Sequence, residues 1–519
     1  MLSDEAIVWR DDLEARGAFN PASVGRWISK HPLAIALIVA EILALLSEMP
    51  WVSRPVRAII LRSLIMGFFA FVGGAGEAVE NLKKALLRGP NPFIVALLLW
   101  CIYSALLPLI GGVPFGRRIE PFAIPEVLRM VFCIGVFWTA AYALRARDLR
   151  PVVVGVMTMG LLVALYGLIR FGDSGHRQME LISIFGNHEQ VGSYLMLMLP
   201  VAAAFALDKS GDTKLMLAAQ VTAVVLAGAL LLTRTRSAWI GESVGLIMLI
   251  VLFLWKNPVK FSLQNKSALI GPSVILVIGV AMLMFSSQLA PLLSQRAATM
   301  TSALSDASLS DRMHRWGAAC RMAHDRPITG WGLGTFPVLQ QNWTGTGDDS
   351  LVVLAHGTGH TNLAHNFWVQ WQAETGAVGQ FLYVAVLIAF FACVIRRLPD
   401  LQPGFRRSLA IGCIAATAAA CGDMVGSPSY TFPGVSSIPW LWMGLAVAAC
   451  RPEKRSRSDA PEALPANPAW VWIVSAVTGI LVAGTILWIG GRQVPLTDEQ
   501  RNSVPDLLVP LGEPPPRER

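Results

Sequence analysis

The 519-residue chain is 54% apolar and 15% charged, with a mean hydropathy of +0.54; soluble domains carry about 25% charged residues, so a soluble globular protein is excluded. A net charge of +8 would suit a nucleic-acid binder in a soluble protein, but in a polytopic one it reflects basic cytoplasmic loops, and no nucleic-acid partner is expected. Six of the seven cysteines lie in or beside apolar runs and one, Cys320, lies in a polar segment, so no disulfide framework is indicated.

Residues 1–31 are mixed-charge, lack the short apolar core of a cleaved signal peptide, and read as a cytoplasmic segment. Apolar runs suited to crossing a hydrocarbon core of roughly 30 Å follow. They lie at 32–47, 57–74, 92–111, 126–144, 151–169, 190–207, 214–233, 237–255 and 268–286, then at 377–395, 407–424, 435–450 and 469–490. The run at 57–74 carries Arg57 and Arg62 and has an interfacial amphipathic helix as its alternative, so 12 or 13 spans are predicted. The chain divides accordingly: first spans over 32–286, a large polar loop at 287–376, and spans again over 377–450. A proline-rich cytoplasmic linker at 451–468 leads to a last span at 469–490, whose Trp470, Trp472 and Trp488 mark the interfaces, and a disordered outer tail at 491–519. The expected fold class is an all-α polytopic membrane protein whose large loop contains short helices.

With the N-terminus inside, the inner segments hold 23 basic residues and the short outer loops eight, a bias that places the 287–376 loop on the outer side. Two outer features run against that bias. Arg234 and Arg236, in the short RTRSAW turn, either reach lipid phosphates or form an anion site whose forked donors suit a diphosphate. The connection at 170–190 supplies Asn187 and His188 just before a span, within a turn-rich surface loop. Seven of the eight histidines fall on the outer side, which suggests that polar work is done there.

In the large loop, SDRMHRWGAACRMAHDRP predicts a helix with Ser310 as N-cap and its end at Pro327. Arg312, Arg315 and Arg326 would lie near its ends and Trp316, Ala319 and Met322 on its apolar face. ITGWGLGTF lacks the spacing and preceding strand of a nucleotide fingerprint. It reads as a tight turn against the membrane surface, anchored by Trp331 and Phe336 at the interface. His356, His360 and His365 raise a zinc site, but HGTGH is a poor helix and no HExxH acid is present, so no metal is expected. His365 opens the amphipathic AHNFWVQWQAETG stretch; it is either an ordinary histidine at a helix start or a general base fixed near the membrane surface.

These residues carry a resemblance. His365-Asn366, nine residues, then Gly376-x-x-Gly379 resembles the H-N-x9-G-x-x-G signature of the O-antigen ligase and polymerase superfamily. The Asp311–Phe336 run resembles that family's arginine, W-x-x-A and P-x-x-G-x-G-x-G-x-F segment, and LLTRTRSAWIG its L-L-T-x-S-R-x-A-W, with Thr235 in place of serine. FGNHEQVGSYLMLMLP loosely resembles its N-P-N-x-x-A element, with His188 in place of proline. The matches run in the family's order over about 185–380 and leave the first 90 residues and the last helix uncovered.

The resemblance implies a GT-C-like, metal-independent, inverting glycosyltransferase of the bacterial inner membrane. It would pass a glycan from an undecaprenyl-diphosphate carrier to an acceptor hydroxyl in the periplasm, the acceptor being another glycan or lipid A-core. By position, Arg236 and Arg312 would hold the diphosphate and His365 would be the base. Arg234, Arg315, His360, Asn366 and Asn187 are the further substrate-binding candidates. Two other classes stay open: a transporter or flippase, for which Arg62, Arg129, Glu242 and Asp423 are the embedded charges, and a non-catalytic partner in polysaccharide assembly.

Overall fold

The computed structural model describes residues 30–47, 49, 86, 88–110, 120–173, 180–208, 212–255, 307–343, 363–451 and 469–492. The helices are α1 (Pro32–Ser47), α2 (Asn91–Ile110), α3 (Glu120–Trp138, continued by a π turn at Thr139–Ala143), α4 (Ala146–Asp173), α5 (His188–Ala206) and α6 (Thr213–Leu232). They continue as α7 (Arg236–Leu254), α8 (Ala307–Asp325), α9 (Phe367–Arg397), α10 (Phe405–Asp423), α11 (Pro433–Ala449) and α12 (Ala469–Arg492). No strand occurs among the described residues. Eight of these helices are long and apolar enough to cross a membrane, and α1 and α11 are shorter apolar helices, so the chain is an all-α polytopic membrane protein. Every predicted span within the described residues coincides with one of these helices; those at 57–74 and 268–286 lie outside the described residues.

The chain forms two compact units. The first comprises Met1–Val95, Leu128–Ala298 and Val386–Trp472. At its centre is α5, buried along its length except at His188 and Ala203 and packed by α4, α6, α7, α10 and α11. Close approach is set by small residues: a Cβ at Gly241 of α7 would lie 2.7 Å from the Ala419 carbonyl of α10, and one at Gly245 would lie 2.8 Å from the Ala419 Cβ. This is the small-xxx-small contact by which membrane helices gain packing where lipid offers no hydrophobic drive.

Polar groups inside this unit are mostly joined. The Asp423 carboxylate accepts from the hydroxyls of Ser193 (2.6 Å) and Tyr430 (3.1 Å), Arg129 donates to the Tyr430 carbonyl (2.7 Å), and Ser437 donates to Glu41 (2.7 Å). Two of the embedded charges that a transport reading would use, Arg129 and Asp423, are thus committed to contacts between helices. The carboxylate of buried Glu242 makes no hydrogen bond among the described residues.

The second unit comprises Ala96–Val127, Thr299–Ala385 and Ile473–Arg519. Its core gathers Ala319, Met322 and Ala323 of α8 with Trp331, Phe336, Leu339 and Trp343 of the following segment, Val369 and Ala373 of α9, and Ile486 of α12. The last helix, which no motif covers, is therefore part of this core. Its carbonyl at Ala483 accepts from Gln372 (3.0 Å), and a Cβ on Gly479 would meet the Phe381 ring at 2.9 Å.

Candidate functional site

Within the second unit the site is built on a broken helix. At Gly376 the backbone of α9 leaves helical geometry, with φ 66° and ψ −173°. In an unbroken helix the N–H groups of Ala377 and Val378 would bond the carbonyls of Ala373 and Glu374. Here all four groups turn to the glycine-rich segment instead. Ala377 donates to the Pro327 carbonyl (2.8 Å) and Val378 to that of Ile328 (3.4 Å), while Trp331 and Gly332 donate to the carbonyls of Ala373 (3.0 Å) and Glu374 (2.8 Å). The next carbonyl, that of Thr375, accepts from the Trp100 indole of α2 (2.9 Å). These five backbone groups freed by the break are satisfied again, which is what makes the break tolerable in a buried setting.

The two glycines at the crossing are obligatory for a steric reason. A Cβ on Gly330 would collide with the Glu374 carbonyl, and one on Gly376 with the Ile328 carbonyl. The P-x-x-G and G-x-x-G motifs are therefore two halves of one backbone lock. This corrects the expectation of a turn whose aromatic residues anchor it at the membrane interface. Trp331 (8% exposed) and Phe336 (fully buried) are core residues and not interfacial anchors. The Trp331 indole donates to the Met322 carbonyl (2.9 Å) and its ring packs edge-on to Trp343 at 4.7 Å.

The helix α8 begins at Ala307, so Ser310 falls inside its first turn and not at the N-cap as expected; the end before Pro327 is as predicted. Two of its neighbouring arginines have structural duties. Arg321 binds the Trp343 carbonyl, and burial holds its guanidinium below the usual arginine range; Arg326 lies 4.1 Å from the centroid of the Trp331 ring. Arg312 and Arg315 stand three residues apart on α8 and so share a face. Arg315, nearly buried, donates to the Leu363 carbonyl (3.3 Å), and Trp316 donates to the Ala364 carbonyl (2.8 Å). Arg312 is the more accessible of the two.

Those contacts seat the short segment that carries His365. Asn366 caps α9, its side-chain oxygen accepting from the N–H groups of Trp368 (3.0 Å) and Val369 (3.3 Å). Ala364 donates to the Gln370 side chain at 3.1 Å. Between these fixed neighbours His365 takes a left-handed backbone, φ 52°, and is half-buried. Left-handed geometry is rare for a residue with a Cβ and persists only where its surroundings enforce it. His360 and His356 lie outside the described residues.

Within the first unit the second cluster is the turn between α6 and α7. Arg234 also has a left-handed backbone, φ 55°, and is 8% exposed; Arg236, partly exposed, is the first residue of α7. The Thr235 hydroxyl donates to the His188 carbonyl (3.1 Å) and so does not cap α7. A Cβ on Gly192 would lie 2.8 Å from Thr235, so the turn is pressed onto the start of α5. Asn187 caps that helix, accepting from Glu189 N–H at 2.7 Å. Both candidate asparagines thus hold helix starts, which accounts locally for their identity.

Arg234 and His365 are the two non-glycine residues with positive φ among those described, and both were singled out by residue chemistry and motif. Gln370 and Glu374 were not. The Glu374 carboxylate accepts from the N–H groups of Gly334 (2.9 Å) and Phe336 (3.1 Å) and from the Gln370 amide (3.3 Å). The signal available in the sequence was a polar pair four residues apart, and so on one face, in the helical stretch FWVQWQAETG.

A family model described as O-antigen ligase matches residues 221–384, a span that contains α7, α8, the glycine-rich lock and His365. No curated protein matches the chain. The resemblance read from the motifs is borne out over that span, and it supports a membrane glycosyltransferase of the O-antigen ligase and polymerase type.

Proposed function

We propose that the chain, carrying this O-antigen ligase segment, is an inner-membrane enzyme that transfers a glycan from undecaprenyl diphosphate to an acceptor hydroxyl on the periplasmic side. The acceptor oxygen attacks the anomeric carbon and its proton passes to the His365 imidazole. The bond to the diphosphate breaks on the opposite face, so the configuration inverts and the carrier diphosphate leaves with the bonding pair. Arg312 offsets the charge that develops on that leaving group. The motif gives Arg236 the same duty, with Arg234, Arg315 and His360 as further donor contacts. The acceptor is a second lipid-linked glycan or lipid A-core, and the stretch proposed to choose between them, about 340–357, lies mostly outside the described residues.

The observation that carries this reading is the enforced left-handed backbone at His365, set between Arg315, Trp316 and the cap of α9. Backbone strain held in place by surrounding contacts is characteristic of functional sites. The test uses purified protein and an undecaprenyl-diphosphate-linked glycan. His365→Asn, which tolerates the same backbone, should abolish transfer while unfolding at the wild-type temperature, as should Arg312→Ala and Arg236→Ala. Full activity in His365→Asn would remove the histidine from the mechanism.

A further inference from the structure

Inside the second unit, a continuous hydrogen-bonded chain links the glycine-rich segment to the residue before His365. Gly334 and Phe336 donate their N–H groups to the two oxygens of Glu374. The Gln370 amide donates to the same carboxylate, and its own carbonyl oxygen accepts from the Ala364 N–H. Gln370 and Glu374 are 7% and 3% exposed, so water does not substitute for any of these partners. The amide orientation at Gln370 is dictated by its neighbours: only the oxygen can face the Ala364 N–H and only the nitrogen can face a carboxylate.

We propose that Gln370 and Glu374 are positioning residues for His365, passing the fixed geometry of the broken helix to the strained segment that presents the imidazole. The inference deepens the proposed function, since it rests on His365 acting as the base. Glu374 is clamped on one side by the loop whose Gly330 interlocks with Gly376, so it cannot shift without opening that lock. Gln370 then pins Ala364, while Trp316 and Arg315 hold the carbonyls of Ala364 and Leu363. His365 is the next residue, and its left-handed backbone is what this threefold hold sustains. Neither Gln370 nor Glu374 needs to touch substrate.

The experiment reads His365 directly. In the full-length protein in detergent, each histidine is ethoxycarbonylated by diethyl pyrocarbonate and the rate at each site is followed by mass spectrometry, with exposed His314 on α8 as internal reference. Gln370→Met keeps the volume and removes the acceptor. It should raise the His365 rate by roughly ten-fold relative to His314, and should lower kcat for transfer by a similar factor with KM for the lipid-linked donor unchanged. Gln370→Glu alone sets two carboxylates in contact, and should lose transfer. Adding Glu374→Gln to it removes the like-charge contact and restores a donor and acceptor between the two positions, although the single amide oxygen then serves only one of the Gly334 and Phe336 N–H groups, so transfer should recover in part.

An unchanged His365 rate in Gln370→Met overturns the positioning role, as does a double variant no better than Gln370→Glu alone. If Gln370→Met does not fold, that pair of carboxylate variants decides the question. A raised His365 rate combined with full transfer in His365→Asn would keep the positioning and sink the base, so the two readings fail separately.

Discussion

Replacing Gly376 with alanine tests the broken helix through the sign of its effect. If residues 367–397 formed an uninterrupted helix, Gly376→Ala would stabilise the protein by about 1 kcal/mol, because alanine is the better helix former. In the structure the result is opposite. The backbone at φ 66°, ψ −173° belongs to a region that essentially only glycine adopts, and forcing a side chain into it costs about 1–3 kcal/mol. The new Cβ also runs into the Ile328 carbonyl. Relieving that collision separates the two segments, with four backbone bonds at stake, each worth about 1 kcal/mol net. A loss of about 3 kcal/mol or more is expected, a large part of a total stability of about 5–15 kcal/mol. Thermal unfolding in detergent measures it, with Gly484→Ala as the control. Gly484 lies within α12 with nothing inside 4 Å of its added Cβ, and its substitution should stabilise slightly. If Gly376→Ala stabilises as Gly484→Ala does, the lock is wrong.

Trp331→Ala should cost about 3–5 kcal/mol in the same assay, the loss of a buried aromatic, whereas a membrane-interface anchor would lose far less. Asp423→Leu should cost about 3 kcal/mol, since it leaves the hydroxyls of Ser193 and Tyr430 without their acceptor; transfer in the folded fraction should persist. The Cys320 thiol is buried, and burial pushes it up from 9.0 to about 11. A maleimide should therefore leave it unlabelled at pH 8 until the protein is denatured. Because the folded value is the higher one, this group's contribution is complete below pH 9.0 and is lost as the pH rises toward about 11. Rapid labelling of Cys320 in the native protein would show that the core around it is open.

Membrane crossing was legible in the sequence because its physical demand is local: a contiguous apolar run, whose length depends on nothing elsewhere in the chain. The spans in described residues therefore fell within a few positions of the observed helices, although α9 begins ten residues before its predicted span at 377. The candidates were chosen on local grounds too: Arg234 and Arg236 as charge in an unexpected place, and Arg312 and His365 by motif, neither of which needs knowledge of contacts. What the local pattern could not contain was the pairing of residues 327–332 with 373–378. Glycine and tryptophan in ITGWGLGTF fit a surface turn and a buried lock alike, and nothing near them in the chain distinguishes the two. Only the meeting of Gly330 with Gly376 decides it, because their missing side chains permit a backbone approach that then buries Trp331 and sets Glu374 between the two segments. The strain at His365 likewise belongs to the tertiary structure: histidine enters the left-handed region more readily than most residues, but still rarely, and here its neighbours are held from outside by Arg315, Trp316 and Gln370.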